Sequence, residues 1–351
     1  MDTKNSRPIN RTEDYSKLKQ TIFVISLLTL LSATLVSLWF WHDMQSQLHT
    51  PVMLNEQIDY TIKPGMSLHS VSRELSALGI IRQPYYLVIE ARRLGIASNI
   101  RAGEYAITQG ITPAQLLEQF VAGKVKQYAL TLIEGWTFNQ VVDSVRLNPH
   151  LRQTLGDTGA KAVMTMLDKP ELSPEGQFFP DTYHFPKGTT DIDFLRRAYT
   201  RMQDILAAEW QQRSDGLPYE TPYQALIMAS VIEKETGLPQ ERGQIAGVFV
   251  RRLQKGMLLQ TDPTVIYAMG ENYDGNIRRK DLSIDSPYNT YLYAGLPPTP
   301  IAIPGLEAIR AALHPEEGNT LYFVAKGDGS HHFSETLSEH NKAVAKYQLG
   351  K

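Results

Sequence analysis

Residues 222–236 read PYQALIMASVIEKET, and this run predicts a helix with a carboxylate on an apolar face. Thr221 is a favourable N-cap, and the proline after it suits the first helical position. Helical spacing places Leu226, Ser230 and Glu233 on one side. A carboxylic acid among apolar residues is costly unless it is paired, kept protonated or used chemically. Burial raises the pKa of a carboxyl, and a general acid working near neutral pH needs a raised pKa.

Glu233 is therefore the candidate for the chemical step, and Glu235 is the weaker one. Glu235 lies two positions further on, about 200° around the helix, so we expect it to face solvent or a nearby arginine. An alternative for Glu233 is a structural salt bridge at the helix end, for which the sequence offers Arg242, Arg251 and Arg252. Helical periodicity alone favours neither interpretation of Glu233.

Two downstream segments carry polar side chains suited to binding a sugar. The first is LQTDPT at residues 259–264, in which Asp262 before a proline predicts a helix N-cap. Gln260 and Thr261 lead into that cap and can hydrogen-bond sugar hydroxyls. In the second segment, SPYNTY at residues 286–291, tyrosine rings can stack on sugar faces while amide and hydroxyl groups bind the sugar's substituents. The predicted binding residues of this second segment are Tyr288, Asn289, Thr290 and Tyr291.

The composition argues against several other kinds of chemistry. The chain has no cysteine, which removes disulfides, thiolate metal sites and a cysteine nucleophile. His331, His332 and His340 lack the spacing of a helical metal-binding pair and have no evident acidic companions, so no metal or other cofactor is expected. No phosphate-binding loop is present. A formal net charge of −2 gives no indication of a nucleic-acid surface.

Residues 21–41 form an uncharged, strongly apolar run near the N-terminus. At about 1.5 Å per residue, a helix of this length spans roughly 30 Å, the thickness of a bilayer core. The run ends in Trp39-Phe40-Trp41, aromatic residues typical of a membrane interface. It is longer than the apolar core of a signal peptide and ends in large aromatic residues, so an uncleaved anchor is favoured over a removed signal.

Basic residues predict the orientation of this anchor. Residues 42–61 contain no lysine or arginine, whereas residues 1–20 contain Lys4, Arg7, Arg11, Lys17 and Lys19. The positive-inside rule then places residues 1–20 in the cytoplasm as a short tail. The bulk of the chain is expected in the periplasm, held at a bacterial inner membrane by a single transmembrane helix.

The rest of the chain is long enough for two domains. Residues 42–56 are polar and predict a short stalk. Residues 57–125 predict a strand, two helices and a returning strand, an order that resembles a LysM module, which binds glycans containing N-acetylglucosamine; a structural spacer is the alternative. Residues 126–351 alternate strands and helices and then become rich in long ordered loops, which commonly line a cleft. The predicted fold class is α+β.

A set of motifs, in this order and spacing, resembles the YceG-like family of endolytic murein transglycosylases. The motifs are FPDTY at 179–183, EKET at 233–236, LQTDPTVIY at 259–267, SPYNTY at 286–291, GLPP at 295–298, His332-Phe333 and His340-Asn341. The resemblance extends from the anchor to the C-terminus. Thr299 and Ile303 depart from it, because a glycine and a polar residue are expected at these two positions.

The resemblance implies cleavage of the β-1,4 bond between N-acetylmuramic acid and N-acetylglucosamine in nascent peptidoglycan strands, and so termination of glycan elongation. It matches the family's catalytic glutamate onto Glu233, which would protonate the glycosidic oxygen and then accept the proton of the muramic C6 hydroxyl. The product would be a 1,6-anhydro sugar, and one carboxyl would suffice where a hydrolase needs two. The implied partners are peptidoglycan glycan strands, inner-membrane lipid and the peptidoglycan synthases.

Two alternatives remain open at this point. The first is a hydrolase of the same glycan, a muramidase, with Asp262 or Glu235 as its base or nucleophile. The second is a membrane-anchored protein that binds glycan as a scaffold and has no enzymatic activity. The hydrolase would release a reducing end one water heavier than the anhydro product, and the scaffold would release no fragments at all.

Overall fold

A computed structural model describes residues 11–156 and 159–350, and the chain divides into two compact units, residues 1–126 and 127–351. Residues 1–10 of the predicted cytoplasmic tail lie outside the described residues. The described residues of both units combine helices with two-stranded antiparallel sheets. The chain is therefore a mixed α/β protein.

The first unit has the predicted strand–helix–helix–strand order. Its elements are α1 (Arg11–His49), β1 (Ile58–Ile62), α2 (Leu68–Ala77), α3 (Pro84–Arg93), β2 (Gly103–Ile107) and α4 (Pro113–Ala122). β1 and β2 pair antiparallel with Tyr60 opposite Tyr105. The Ser67 hydroxyl accepts a hydrogen bond from Ser70 N–H and caps α2, as its position in the sequence predicts.

The apolar run predicted as a membrane anchor lies inside α1. Among the described residues, one helical stretch, Tyr15–His49, is long and apolar enough to cross a membrane, and an 18-residue window within it has a mean hydropathy of 2.2. From residue 15 to residue 39 its large apolar side chains are exposed, including Phe23, Leu31 and Trp39. A soluble environment would leave this apolar surface in contact with water, which is unfavourable.

The prediction of a polar stalk at residues 42–56 is wrong for the first half of that range. The helix α1 continues to His49, and Met44 and Leu48 are buried in the hydrophobic core of the first unit. The Tyr86 hydroxyl also donates to Asp43 Oδ2 at 2.5 Å. The two apolar residues are four positions apart on one helical face, and the polar residues between them concealed this spacing. The last turns of α1 are thus part of the folded unit.

The second unit packs short two-stranded sheets and helices around two hydrophobic clusters. Its strands are β3 (Gln127–Thr131), β4 (Thr182–Pro186), β5 (Tyr322–Ala325) and β6 (His331–Ser334), paired β3 with β4 and β5 with β6. Its helices are α5 (Phe138–Arg146), α6 (Ala160–Met166), α7 (Asp191–Gln211), α8 (Pro222–Glu235), α9 (Arg242–Gln254), α10 (Asp262–Met269), α11 (Leu306–Leu313) and α12 (Leu337–Tyr347). Short 3-10 helices cover Pro239–Glu241, Gly270–Asn272 and Asp281–Ser283.

The helix α8 lies in the larger of these clusters and is surrounded on all sides. It begins as predicted, with Thr221 and Gln224 forming a capping box and Pro222 in the first position. Every residue from Ala225 to Ile232 is buried. A helix buried all round presents no single apolar face, so its periodicity does not determine which of its end residues points to a cleft.

A long segment with little regular structure, residues 270–305, follows α10 and returns to α8. Ile301 N–H in this segment donates to Ser230 Oγ at 3.0 Å, which fixes the proline-rich part against the middle of the helix. Thr299, one of the two departures from the family pattern, hydrogen-bonds the Tyr288 hydroxyl at 2.9 Å. The other departure, Ile303, is fully buried. The loop-rich prediction holds here, whereas α11, β5, β6 and α12 add regular structure beyond it.

Candidate active site

Glu233 is held by two partners at the end of α8. The Gly305 N–H donates to its Oε2 at 3.0 Å, and Arg242 Nη2 lies 3.5 Å from its Oε1. The Glu233 side chain is 7% exposed. Burial raises its pKa, Glu134 raises it further, and the Gly305 hydrogen bond and the Arg242 charge oppose that shift. The contact with Arg242 is the salt bridge that the sequence offered as the alternative to catalysis.

Glu235 occupies a different environment from the one predicted. Its Oε2 accepts a hydrogen bond from Thr261 Oγ1, and the residue lines a cavity of about 310 Å³. The expectation that Glu235 faces open solvent is wrong, and the expected arginine is present as Arg252 in the wall of the same cavity. Burial raises the pKa of Glu235, and the Asp262 carboxylate adds to that effect, while the Thr261 hydrogen bond and the Arg252 charge oppose it.

Three of the residues predicted to bind sugar line this Glu235 cavity, namely Gln260, Asp262 and Tyr291. The Tyr291 hydroxyl donates to Asp262 Oδ1 at 2.6 Å, which ties the two segments together. The sequence predicts Asp262 as the helix N-cap, but Thr261 holds that position and Asp262 is the first residue of α10. Gln260 has a φ of +51°, a left-handed conformation that is unfavourable for a non-glycine residue and is found at functional sites.

The other predicted binding residues have structural partners instead. Thr290 is buried and fixes the backbone at residues 260 and 261. Its carbonyl accepts from Gln260 N–H at 3.1 Å, and its hydroxyl accepts from Thr261 N–H at 3.2 Å. Asn289 is fully buried, and its amide donates to the carbonyls of Leu282 and Ile284. These side chains shape the loop and have few groups left for a ligand.

Tyr288 lies beside the Tyr267 ring, outside the lining of the Glu235 cavity. The two ring centroids are 4.9 Å apart. The Tyr267 hydroxyl donates to Glu175 Oε2 at 3.0 Å, and Glu175 Oε1 accepts from Phe138 N–H at 2.9 Å. Burial raises the pKa of Glu175 to about 7. Glu175 is thus a further buried carboxyl of the second unit, and it lies shortly before the FPDTY segment.

The sequence did not identify four further residues of the Glu235 cavity as candidates for binding. They are Arg252, Phe323, His331 and His340. Arg252 Nε donates to Leu321 O at 2.7 Å and its Nη1 to Leu259 O at 2.8 Å, so its charge is fixed in the cavity wall. The sequence raises His331 and His340 only as possible metal ligands. These two histidines lie on β6 and α12, far along the chain from α8, so the spacing of residues in the sequence cannot predict that they lie near Glu235.

The described residues contain no group of three or more histidine, cysteine or acidic side chains arranged to hold a metal ion. The Glu235 cavity instead has the features of an acid–base site. It combines a carboxyl whose protonated form is favoured by burial with hydrogen-bonding side chains that converge from several segments. The site is therefore a cavity lined by polar side chains and by a carboxyl whose pKa is raised by burial.

The chain belongs to the YceG-like family, whose sequence model matches residues 60–346. A Bacillus subtilis (strain 168) protein named endolytic murein transglycosylase is 32% identical over 309 residues, which cover 83% of this chain and 84% of that protein. A protein of the same name from Streptococcus pneumoniae (serotype 2, strain D39) is 25% identical over 361 residues, covering 93% of this chain and 65% of the other.

The fold is shared with a solved member of the family. The 2.6 Å crystal structure of a YceG-like protein from Listeria monocytogenes is 32% identical in sequence and superposes with a TM-score of 0.52. The match covers 82% of this chain and 99% of the Listeria chain.

Proposed function

We propose that this protein is a peptidoglycan lytic transglycosylase that cleaves the β-1,4 bond between N-acetylmuramic acid and N-acetylglucosamine inside glycan strands. Membership of the YceG-like family and the murein transglycosylase names of its relatives support this substrate. The observation that carries the proposal is Glu235, a buried carboxyl in a cavity lined by Gln260, Asp262 and Tyr291. Such a group is suited to protonate a glycosidic oxygen near neutral pH.

The geometry supports Glu235 as the acid in place of Glu233, which the sequence favoured. Both Glu233 oxygens have partners on the protein, Gly305 N–H and Arg242, and neither partner lines the Glu235 cavity. Glu235 has one hydrogen-bond partner, Thr261, among the described residues, and it lines the cavity. In this proposal Glu233 has a structural role, because its hydrogen bond with Gly305 joins the proline-rich segment to the end of α8.

The reaction needs no water. Glu235 transfers its proton to the oxygen that leaves as the C4 hydroxyl of N-acetylglucosamine, and the C1–O4 bond breaks. The C6 oxygen of the muramic sugar attacks C1, so the new C1–O6 bond closes a 1,6-anhydro ring. The proton of the C6 hydroxyl passes to a base in the cavity, and the Glu235 carboxylate formed in the first step is the simplest acceptor. General acid–base help of this kind contributes about 10²–10⁴-fold.

A hydrolase is the second candidate, because the Asp262 carboxylate lines the same cavity as Glu235. Most glycoside hydrolases use two carboxyl groups, one on each side of the glycosidic bond that is cleaved. The hydrogen bond from the Tyr291 hydroxyl to Asp262 Oδ1 fixes the position of this carboxylate in the cavity. The products separate the two candidates, since only hydrolysis adds a water.

The proposal extends to the location of the protein. The apolar part of α1 would anchor it in the inner membrane, with the basic N-terminal tail in the cytoplasm and the Glu235 cavity in the periplasm. Burial of Met44 and Leu48 at the end of α1 leaves little free linker between the membrane and the first unit. The site would then act near the membrane, on nascent strands beside the peptidoglycan synthases, and would terminate their elongation.

The first unit is proposed to bind the glycan as a LysM-like module. Its strand–helix–helix–strand order supports this role, and a structural spacer is the alternative. Glu235→Gln prevents cleavage but leaves the Glu235 cavity able to bind glycan, so the number of chitin oligosaccharides bound by the full Glu235→Gln chain is measured. A second saturable site would support the role, and a single site or none up to millimolar ligand would favour the spacer.

Mass analysis of digestion products tests the proposed reaction. The detergent-solubilised full chain is incubated with isolated sacculi, and the released fragments are separated and weighed. The proposal predicts internal cleavage with 1,6-anhydro-muramic ends. Reducing ends one water heavier would establish the hydrolase, and release of disaccharides from strand ends alone would contradict endolytic cleavage.

A further inference from the structure

The cavity that contains Glu235 also contains a histidine fixed by a buried carboxylate. Glu241, in the 3-10 helix before α9, accepts from the His331 backbone N–H at 2.9 Å, and its other oxygen lies 2.7 Å from His331 Nδ1. Both side chains are 11% exposed. One carboxylate therefore binds the backbone and the ring of the same residue, which fixes the orientation of the imidazole.

This contact determines which ring nitrogen carries the proton. A carboxylate only accepts hydrogen bonds, so Nδ1 must be the donor and the neutral ring is protonated on Nδ1. Nε2 is then the basic nitrogen. Within residues 11–156 and 159–350, Nε2 makes no hydrogen bond to the protein, and His331 belongs to the lining of the Glu235 cavity.

Apolar contacts hold the His331 ring in this position. Its edge meets the Phe323 ring at a centroid distance of 5.3 Å and an interplanar angle of 85°, and Phe333 lies 6.5 Å away. The neighbouring His332 points elsewhere on β6 and packs on the Tyr347 ring of α12 at 5.6 Å. Consecutive residues of a strand face opposite sides, so the two histidines are a natural pair of target and control.

The other charged and titratable groups around the His331 ring belong to several elements. Glu235 is on α8, Glu241 precedes α9, Arg252 is on α9, Asp262 begins α10, Tyr291 lies in the segment after α10, and His340 is on α12. Arg252 provides a permanent positive charge, and the Tyr291 hydroxyl already occupies Asp262 Oδ1. Among these groups, a neutral imidazole with a free Nε2 is the one arranged to take a proton from a hydroxyl.

We propose that His331 is a further catalytic residue, the base that removes the proton of the muramic C6 hydroxyl. The idea rests on the proposed transglycosylase function and divides its acid and base roles between two residues. The Glu235 proton goes to O4 as the C1–O4 electron pair leaves with that oxygen. O6 donates an electron pair to C1, and its proton goes to His331 Nε2. Return of that proton to the Glu235 carboxylate restores both residues without any external reactant.

Chemical rescue tests this role in the full chain. The variants His331→Ala and His332→Ala are assayed on sacculi with and without added imidazole, beside Glu235→Gln. Loss of a general base should lower kcat of His331→Ala by about 10²–10⁴-fold. Imidazole should restore part of that loss, more strongly as rising pH makes it neutral. The His332→Ala variant should keep wild-type turnover and be insensitive to imidazole.

Several results would overturn the assignment. Wild-type kcat in His331→Ala would do so, as would a change confined to KM. A lowered kcat that imidazole leaves unchanged would make His331 a positioning residue and not the base. The Glu235→Gln variant distinguishes a failure of the His331 role from a failure of the proposed function. If it is inactive while His331→Ala is normal, only the role of His331 fails, whereas an active Glu235→Gln would remove the proposed function itself.

Discussion

Burial raises the pKa of both carboxyls at the end of α8, but the partners of Glu233 and Glu235 differ. Glu233 pairs with a buried guanidinium and a backbone amide, a combination that stabilises a fixed structure. Glu235 has a hydroxyl donor, Thr261, and a cavity in front of it. At the scale of single residues, the surroundings of a carboxyl and not its position in a motif decide whether it is available for chemistry.

Glu175 gives a pH-dependent stability that can be measured. Its pKa is raised from 4.5 to about 7, so the folded protein binds a proton that the unfolded chain has released. The stabilisation by that proton is complete below about pH 4.5 and is lost as pH rises toward 7. Ionising the buried carboxyl then costs on the order of 3 kcal/mol. The variant Glu175→Gln should therefore be more stable than wild type at pH 8, by about 1–3 kcal/mol, and no more stable at pH 4.5.

Urea unfolding at both pH values measures this difference. The exposed Glu317 provides the control, since Glu317→Gln should leave the free energy of unfolding nearly unchanged at either pH. An equal effect of Glu175→Gln at pH 4.5 and pH 8 would show that the pKa of Glu175 is the same in the folded and unfolded protein, and would contradict a pKa raised by burial.

At the scale of elements, the proline-rich segment is seated on the rest of the second unit through Gly176. A Cβ at this position would lie 2.4 Å from Pro300 Cβ, and its φ of +77° is unfavourable for other residues. Pro300 is rigid, so Gly176→Ala should displace the segment and lower the free energy of unfolding by about 1–3 kcal/mol or more.

The glycine control for this prediction is Gly188, which has a φ of +85° and no atom within 4 Å of the place that an alanine methyl would occupy. Gly188→Ala carries the backbone strain without the steric clash, so its effect should be the smaller of the two. Thermal unfolding of both variants gives the comparison. If Gly188→Ala costs as much as Gly176→Ala, the contact with Pro300 contributes nothing to the placement of the segment.

The end of α1 is a second element whose role can be tested. Leu48 is 2% exposed in the core of the first unit, and Leu48→Ala should destabilise that unit by about 2–5 kcal/mol. Met53, 80% exposed, is the matched position at which Met53→Ala should change little. Limited proteolysis of the detergent-solubilised chain reports on the unit. Equal protease resistance of the two variants would mean that residues 42–49 behave as the free stalk that the sequence predicts.

At the scale of the whole molecule, local signals predicted the elements better than the site. The N-caps Ser67 and Thr221 located helices correctly, because a cap is a contact within one turn. The choice between Glu233 and Glu235 depends on Thr261, Arg242 and Gly305, which come from distant segments. Helical periodicity fails there because α8 is buried on every side.

Contacts between distant segments also explain the other differences between the sequence-based predictions and the structure. Asn289 and Thr290 look like sugar ligands in a polar loop, but their hydrogen bonds are used to hold the loop itself. His331 joins the cavity only because β6 and the 3-10 helix before α9 meet through Glu241. The spacing of residues within one segment cannot predict a contact between distant segments. The sequence therefore does not indicate which of the site's residues lie close together.

The central claim is that Glu235, and not Glu233, is the acid of a lytic transglycosylase. Turnover of isolated sacculi by the full chain, wild type beside Glu235→Gln and Glu233→Gln, tests it most directly, with equal unfolding temperatures as evidence that both variants fold. We expect Glu235→Gln to lower the release of anhydro-muramic fragments by about 10²–10⁴-fold or more, and Glu233→Gln to retain most of the wild-type rate. Wild-type release by Glu235→Gln, with release abolished in Glu233→Gln, would contradict it.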